Sequence, residues 1–219
     1  MDEIFSLIIL PLAVGLLLFL IPDKFRTVKG IIALLIIINA GFLSASIYTF
    51  GDQIYRLDEI ARSSGLDFYG LKIPPDVLTN ISFNLDSLSR LIVVFISLFA
   101  VLIALYSLVY IKEGRVRNYY PYFLITLGCA YGAVLSDNLL LFLAFWGALG
   151  LTLYKLIHGH DEASSATAKK TLILIGASDS IMILGIAIIW KMTGSLSMAE
   201  TSLHATNILT VVAFLSLLT

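Results

Sequence analysis

An all-α integral membrane protein of about seven transmembrane helices is the fold class this sequence predicts, and three observations predict it. Hydrophobic residues make up 59% of the chain and charged residues 13%, with a mean hydropathy of +0.97, whereas an ordinary soluble domain carries about 25% charged residues. The apolar residues fall into runs of about twenty, the length a helix needs to cross a hydrocarbon core of about 30 Å. One such run, Asn138 to Ile157, has strongly polar side chains only at Asn138 and Lys155, near its two ends.

Taken in order, the first span reads from Ile4 to Ile21 and is ended by Pro22 and the charged stretch after it. The second reads from Gly30 to Phe50. Between Gly51 and Ser82 lies the one long polar connection, in which IYRLDEIARSS suggests a short surface helix and FYGLKIPPD, with two prolines, suggests extended or turn structure. Asp86-Ser87 can cap the third span, about Leu88 to Ile111, and Arg90 stands one turn after Asp86. The fourth span, Tyr119 to Leu135, is separated from the fifth only by Ser136-Asp137, which predicts a tight antiparallel hairpin. A polar loop, HGHDEASSATAKK, leads into the sixth span, Thr171 to Trp190. The last apolar stretch begins near Ile208; its twelve residues rise about 18 Å, too little to cross alone.

Charge fixes orientation and excludes some functions. The connections after spans one, three and five contain Lys24, Arg26, Lys29, Lys112, Arg115, Arg117, Lys169 and Lys170, so the positive-inside rule places the N-terminus and the 51–82 loop outside the cell membrane. A net charge of -1 without a basic cluster argues against a nucleic-acid partner. The lone Cys129 lies in an apolar run and reads as a buried thiol. The N-terminus begins MDEIF, without a positively charged leader, so a cleaved signal peptide is not expected. One membrane domain, residues 1–219, is the economical organisation.

Within the spans the sharpest candidate is Asp179. A carboxylate near the bilayer centre costs about 2.5–3.5 kcal/mol on insertion scales, so it faces protein or water and takes a partner. It serves either an ion path or a helix contact through hydroxyls such as Ser178 and Ser180. Lys170 is nine residues earlier, about 13 Å along a helix, which excludes direct contact but allows a link through water. Lys155 either snorkels to the membrane surface or partners a carboxylate. His158, His160, Asp161 and Glu162 form a titratable group where span five ends, either a solvated loop or a proton-collecting surface; spacing i, i+2 does not make a helical zinc pair. Gly147 and Gly150, with Ala144, offer a surface for close helix packing. No nucleotide loop, nucleophile elbow, CxxC or paired-histidine haem motif occurs within the spans, so no metal, cofactor or redox centre is expected in this chain.

The segment LSDNLLLFLAFWGALGLTLYKLI resembles the fifth transmembrane helix of the antiporter-like proton-translocating subunits of respiratory complex I, Mrp antiporters and membrane-bound energy-converting hydrogenases. FNLDSLSRLIVVFISLFAVLIALYSLVYI resembles the family's third helix, with Asp86, Leu88, Ser89, Tyr106, Ser107 and Tyr110 at matching positions. AKKTLILIGASDSIMILGIAIIWKMTG resembles its sixth. Residues 83–191 carry the likeness; residues 1–82 share only hydropathy and loop length. The resemblance implies half of a fold of about fourteen spans, with partner membrane subunits, peripheral redox subunits reached indirectly, and a part in proton or sodium translocation, most of all in an energy-converting hydrogenase. It departs at one position. The family's glutamate after Phe-Trp is here Gly147, which gives the alternative of a non-conducting structural subunit. The sequence also stops before the family's seventh-helix lysine, so an N-terminal half is the expectation.

Overall fold

The computed structural model describes residues 2–49, 51, 53–56, 82–111, 118–159, 162–199 and 208–218. Among them are seven α-helices and one two-stranded sheet. The helices are α1 (Asp2–Leu17), α2 (Arg26–Tyr48), α3 (Ser87–Tyr110), α4 (Tyr119–Leu135), α5 (Leu139–Ile157), α6 (Glu162–Thr193) and α7 (Ile208–Leu217). The strands are β1 (Gln53–Arg56) and β2 (Ser82–Leu85), paired antiparallel with Gln53 opposite Leu85. Five segments are long and apolar enough to cross a membrane; α4 and α7 are shorter apolar helices.

α1 packs on α4, α2 on α3, α4 on α5, α5 on α6 and α6 on α7. Two clusters of buried side chains follow. Ile4, Leu7, Ile37, Val93, Leu124 and Tyr131 belong to the larger one, among α1–α4. Leu139, Met182, Ile186, Ile189 and Ala213 form the smaller one, joining α5–α7. Lipid is as apolar as leucine, so close backbone approach and hydrogen bonds replace the hydrophobic effect as the force between these helices. At Gly128 α1 comes close to α4: a Cβ there would lie 2.6 Å from Leu12 Cγ and 3.0 Å from the Ile8 carbonyl oxygen. Gly185 does the same for α6 and α7, where a Cβ would collide with Ser216 Oγ and stand 3.1 Å from the Ala213 carbonyl oxygen.

The cap foreseen at Asp86 is present. Its side chain accepts from the Ser89 amide at 2.7 Å, and Ser89 Oγ accepts from the Asp86 amide at 3.0 Å, a reciprocal capping box. The hairpin between α4 and α5 is as tight as expected. Asn138 Oδ1 caps α5 by accepting from the amides of Leu140 and Leu141, at 2.8 and 3.3 Å.

Two expectations are corrected. Ile54, Tyr55 and Arg56, read as part of a surface helix, are in β1; β-branched and aromatic side chains here pair with β2, and that pairing outweighs the helical reading. The remainder of that connection, residues 57–81, lies outside the described residues. The polar loop before span six is largely helix, because α6 begins at Glu162 and extends over 32 residues, about 48 Å. Its first turns are rich in Ala, Glu, Lys and Ser, which form helix without an apolar stripe to announce it.

Candidate functional site

The α4–α5 turn does more than reverse the chain. Ser136 and Asn138 make bridge pairs with Phe83 on one side and Ser197 on the other, so the turn is laced between β2 and the segment that follows α6. The Asp137 amide donates to the Ser82 carbonyl at 3.0 Å, and the Leu139 amide to the Leu196 carbonyl at 2.9 Å. At the centre, the Asp137 carboxylate is 5% exposed. It accepts from Ser82 Oγ and Ser197 Oγ, each at 3.1 Å, and from the Ala199 amide at 3.1 Å. A buried carboxylate is stable only when it is paired or hydrogen-bonded, and these three donors meet that demand.

From this clasp a cleft of about 760 Å³ opens between α3, α5 and α6. Three carboxyl side chains line it: Asp86, Asp137 and Asp179. Ser89 and the helix N-terminus hold Asp86 below the ordinary carboxylate value. The largest cause is the Ser89 hydroxyl, followed by the Ser89 amide; burial opposes them, and nearby Arg90 adds the smallest lowering. Asp179 is half-buried on α6, and its partner comes from α5: Trp146 Nε1 donates to Asp179 Oδ1 at 3.0 Å. The Trp146 ring stacks on Phe142, with centroids 5.5 Å apart. Ser180 turns to its own helix and donates to the Gly176 carbonyl at 2.7 Å.

The remaining candidates stand apart from this cleft. Lys170 is an exposed side chain on α6, nine residues and about 13 Å along the axis from Asp179. Lys155 is in the last turn of α5, its Nζ 5.4 Å from the centroid of the Tyr154 ring. His158 caps the end of α5 and stacks on Tyr154, centroids 5.4 Å apart. Glu162 is the exposed first residue of α6; His160 and Asp161 lie outside the described residues. Gly150 meets Ile175 of α6, where a Cβ would approach Cγ2 to 3.2 Å, whereas a Cβ on Gly147 would meet nothing within 4 Å. Among the described residues no group of three or more His, Cys, Asp or Glu side chains is arranged to hold a metal ion.

Sequence reasoning passed over three residues. From the sequence Asp137 is only part of the turn between spans four and five, Trp146 half of the Phe-Trp pair before Gly147, and Lys29 one of the charges that set orientation. Lys29 is 1% exposed on α2, and its Nζ donates to Asn118 Oδ1 at 3.2 Å. Asn118 is in the left-handed region at φ 55, which asparagine tolerates better than most residues. No local signal marks Asp137, because the groups that bury and bond it, Ser82, Ser197 and Ala199, are far along the chain.

Fold and cleft define a multi-pass membrane protein with ionisable side chains set among its helices. Residues 136–219 match the family described as NADH:quinone oxidoreductase/Mrp antiporter, TM. The chain is similar to a Na(+)/H(+) antiporter subunit of Alkalihalophilus pseudofirmus, 30% identical over 142 residues, covering 63% of this chain and 18% of that protein. It is also similar to a Na(+)/H(+) antiporter subunit of Staphylococcus haemolyticus, 35% identical over 138 residues, covering 61% and 17%. In fold it is similar to a chain of the Mrp complex from Dietzia sp., with a TM-score of 0.76, 18% identity and coverage of 100% of this chain and 40% of the other. A chain of respiratory complex I from Thermus thermophilus gives a TM-score of 0.66 at 20% identity, covering 99% and 42%. Residues 136–219 thus carry the match to the complex I/Mrp antiporter family, and the fold of the chain is similar to that of chains in these complexes. The chain spans less than a fifth of the length of these curated relatives.

Proposed function

We propose that this chain is an ion-translocating membrane subunit of a complex-I-like assembly, helping to move protons or sodium ions across a cell membrane. The observation that carries the proposal is the position of Asp179, an ionisable side chain that lines the cleft from a helix long and apolar enough to cross a membrane. A carboxylate can bind and release a cation there, and the cost of placing it in the membrane is hard to explain without such a use. In this reading Lys170 stands at the inner mouth of the path, Lys155 offers a second cation, and His158, His160, Asp161 and Glu162 collect protons at the inner surface. The N-terminus lies outside, and residues 1–219 act as one membrane domain.

The partners are other membrane subunits and the bilayer, with peripheral redox subunits reached indirectly. The finer proposal is that the host is an energy-converting hydrogenase or a related oxidoreductase, in which electron transfer elsewhere drives the ion. It rests on the resemblance in residues 83–191. The curated relatives are antiporter subunits, which favours an Mrp-type host instead. Copurification with hydrogenase subunits would support the first and copurification with antiporter subunits the second.

Gly147 supports a second reading. Glycine cannot ionise, and no other residue of α5 supplies a carboxylate, so the chain would keep the fold and its place in the assembly without conducting. The test is to compare sodium and proton uptake in vesicles bearing the complete complex with uptake by a complex assembled without this chain. Reduced uptake from a complex that keeps all its other subunits supports the translocating role. Unchanged uptake assigns the chain to the structural one.

A further inference from the structure

We infer that Trp146 is the positioning residue for Asp179, holding one oxygen of the carboxylate so that the other is left for the translocated cation. This rests on the proposed ion-handling role of Asp179. The indole N–H reaches Asp179 Oδ1 at 3.0 Å across the α5–α6 contact, and both side chains line the cleft. An indole has one donor and no acceptor, whereas a carboxylate has acceptor capacity on both oxygens. Trp146 can therefore neither take the proton nor bind the cation through nitrogen. It takes one of the acceptor sites on Oδ1, and among the described residues no hydrogen bond is made to Oδ2.

The tryptophan is itself restrained. The residue is 43% exposed; its ring stacks on Phe142 one turn earlier on α5 at an interplanar angle of 27°, and that contact orients the N–H. α5 thus offers α6 a neutral donor at residue 146, beside the glycine at 147. A neutral donor keeps the Asp179 negative charge available to a mobile cation; a fixed cation in its place would compete with it.

A merely structural strut between α5 and α6 would give the same hydrogen bond, and interhelical bonds of this kind are modest in strength. The two roles separate in the cation dependence of transport. Trp146→Phe keeps the stacking face on Phe142 and removes the N–H; Trp146→His, which keeps a ring N–H, serves as the conservative variant. Uptake is measured against sodium concentration and against pH in vesicles containing the assembled complex, with recovery of the complex in mild detergent measured in parallel. We expect Trp146→Phe to assemble normally and to raise the apparent KM for the transported cation several-fold, with a smaller change in maximal rate. Trp146→His should recover part of the loss, and Trp146→Phe should add nothing in an Asp179→Asn background, because the two residues act as one unit. A wild-type cation dependence in Trp146→Phe, or a loss that only follows lost assembly, overturns the positioning role. If Asp179→Asn itself transports normally, the ion-handling reading of Asp179 fails and this inference fails with it. A defect in Asp179→Asn with none in Trp146→Phe defeats the positioning role alone.

Discussion

The Asp137 carboxylate accepts a hydrogen bond from the hydroxyl of Ser197, 60 residues further along the chain, at 3.1 Å. Through this bond and its partner from Ser82, the start of α5 is fixed to β2 and to the segment after α6. The clasp closes one end of the cleft in which α5 and α6 bring Trp146 to Asp179. Removing the carboxylate leaves two hydroxyls and the Ala199 amide to find new partners in a buried place, and each unsatisfied donor costs about 1–3 kcal/mol. Asp137→Ala should therefore lower the thermal midpoint of the purified protein in detergent. Asp137→Asn, which keeps one acceptor oxygen and nearly the same shape, should lower it less. Equal stability of all three proteins would contradict the clasp.

Acid should weaken the start of α3. The folded state holds Asp86 below its ordinary 3.8, chiefly through the Ser89 hydroxyl, so folded protein binds this proton more weakly than unfolded protein does. The resulting stability is present above the ordinary value and is lost as the pH falls through the lower folded one. Asp86→Asn keeps a capping oxygen and removes the charge; it should flatten the acid limb of a stability–pH curve below about pH 4 and cost no more than about 1 kcal/mol near neutrality. Acid limbs that superimpose would remove Asp86 from the account.

The glycines separate packing within the chain from packing against a partner. Gly185→Val must push α6 from α7, because the added carbons meet Ser216 and the Ala213 carbonyl; a loss of about 1–3 kcal/mol is expected. At Gly147 there is open space within the chain. Gly147→Leu should leave the isolated chain as stable as before, yet weaken recovery of the whole complex if a partner helix covers that face. Unchanged recovery would assign the face to lipid.

Orientation is tested by a cysteine at Gly51 or at Gly159, in a background whose native Cys129 is buried. An impermeant reagent added outside should label the first and spare the second. The opposite pattern would reverse the topology drawn from the positive residues.

Much of this fold could be read from the sequence because lipid demands long apolar runs, and all seven runs became helices. The first turns of α6 were hidden because Ala, Ser, Glu and Lys satisfy a helix backbone in water without any hydrophobic period. The strand at Ile54 to Arg56 was hidden because only its pairing with β2, far along the chain, makes it a strand. At the site, Asp179 stood out by cost alone, whereas Asp137 and Trp146 did not. The donors to Asp137 come from residues 55, 60 and 62 positions distant, and a tryptophan in an apolar helix shows no sign in sequence of where its N–H points. Long-range pairing of this kind leaves no local pattern.

The central claim is that Asp179 handles the translocated ion, and Asp179→Asn tests it most directly. The amide preserves shape and can still accept from Trp146, but it cannot ionise. Sodium or proton uptake is to be measured in vesicles containing the whole complex, beside its recovery in mild detergent and, if the host is an oxidoreductase, its electron-transfer rate. The account predicts that uptake falls well below wild type while assembly is retained. Full uptake by Asp179→Asn would contradict it and leave the carboxylate a structural role between α5 and α6.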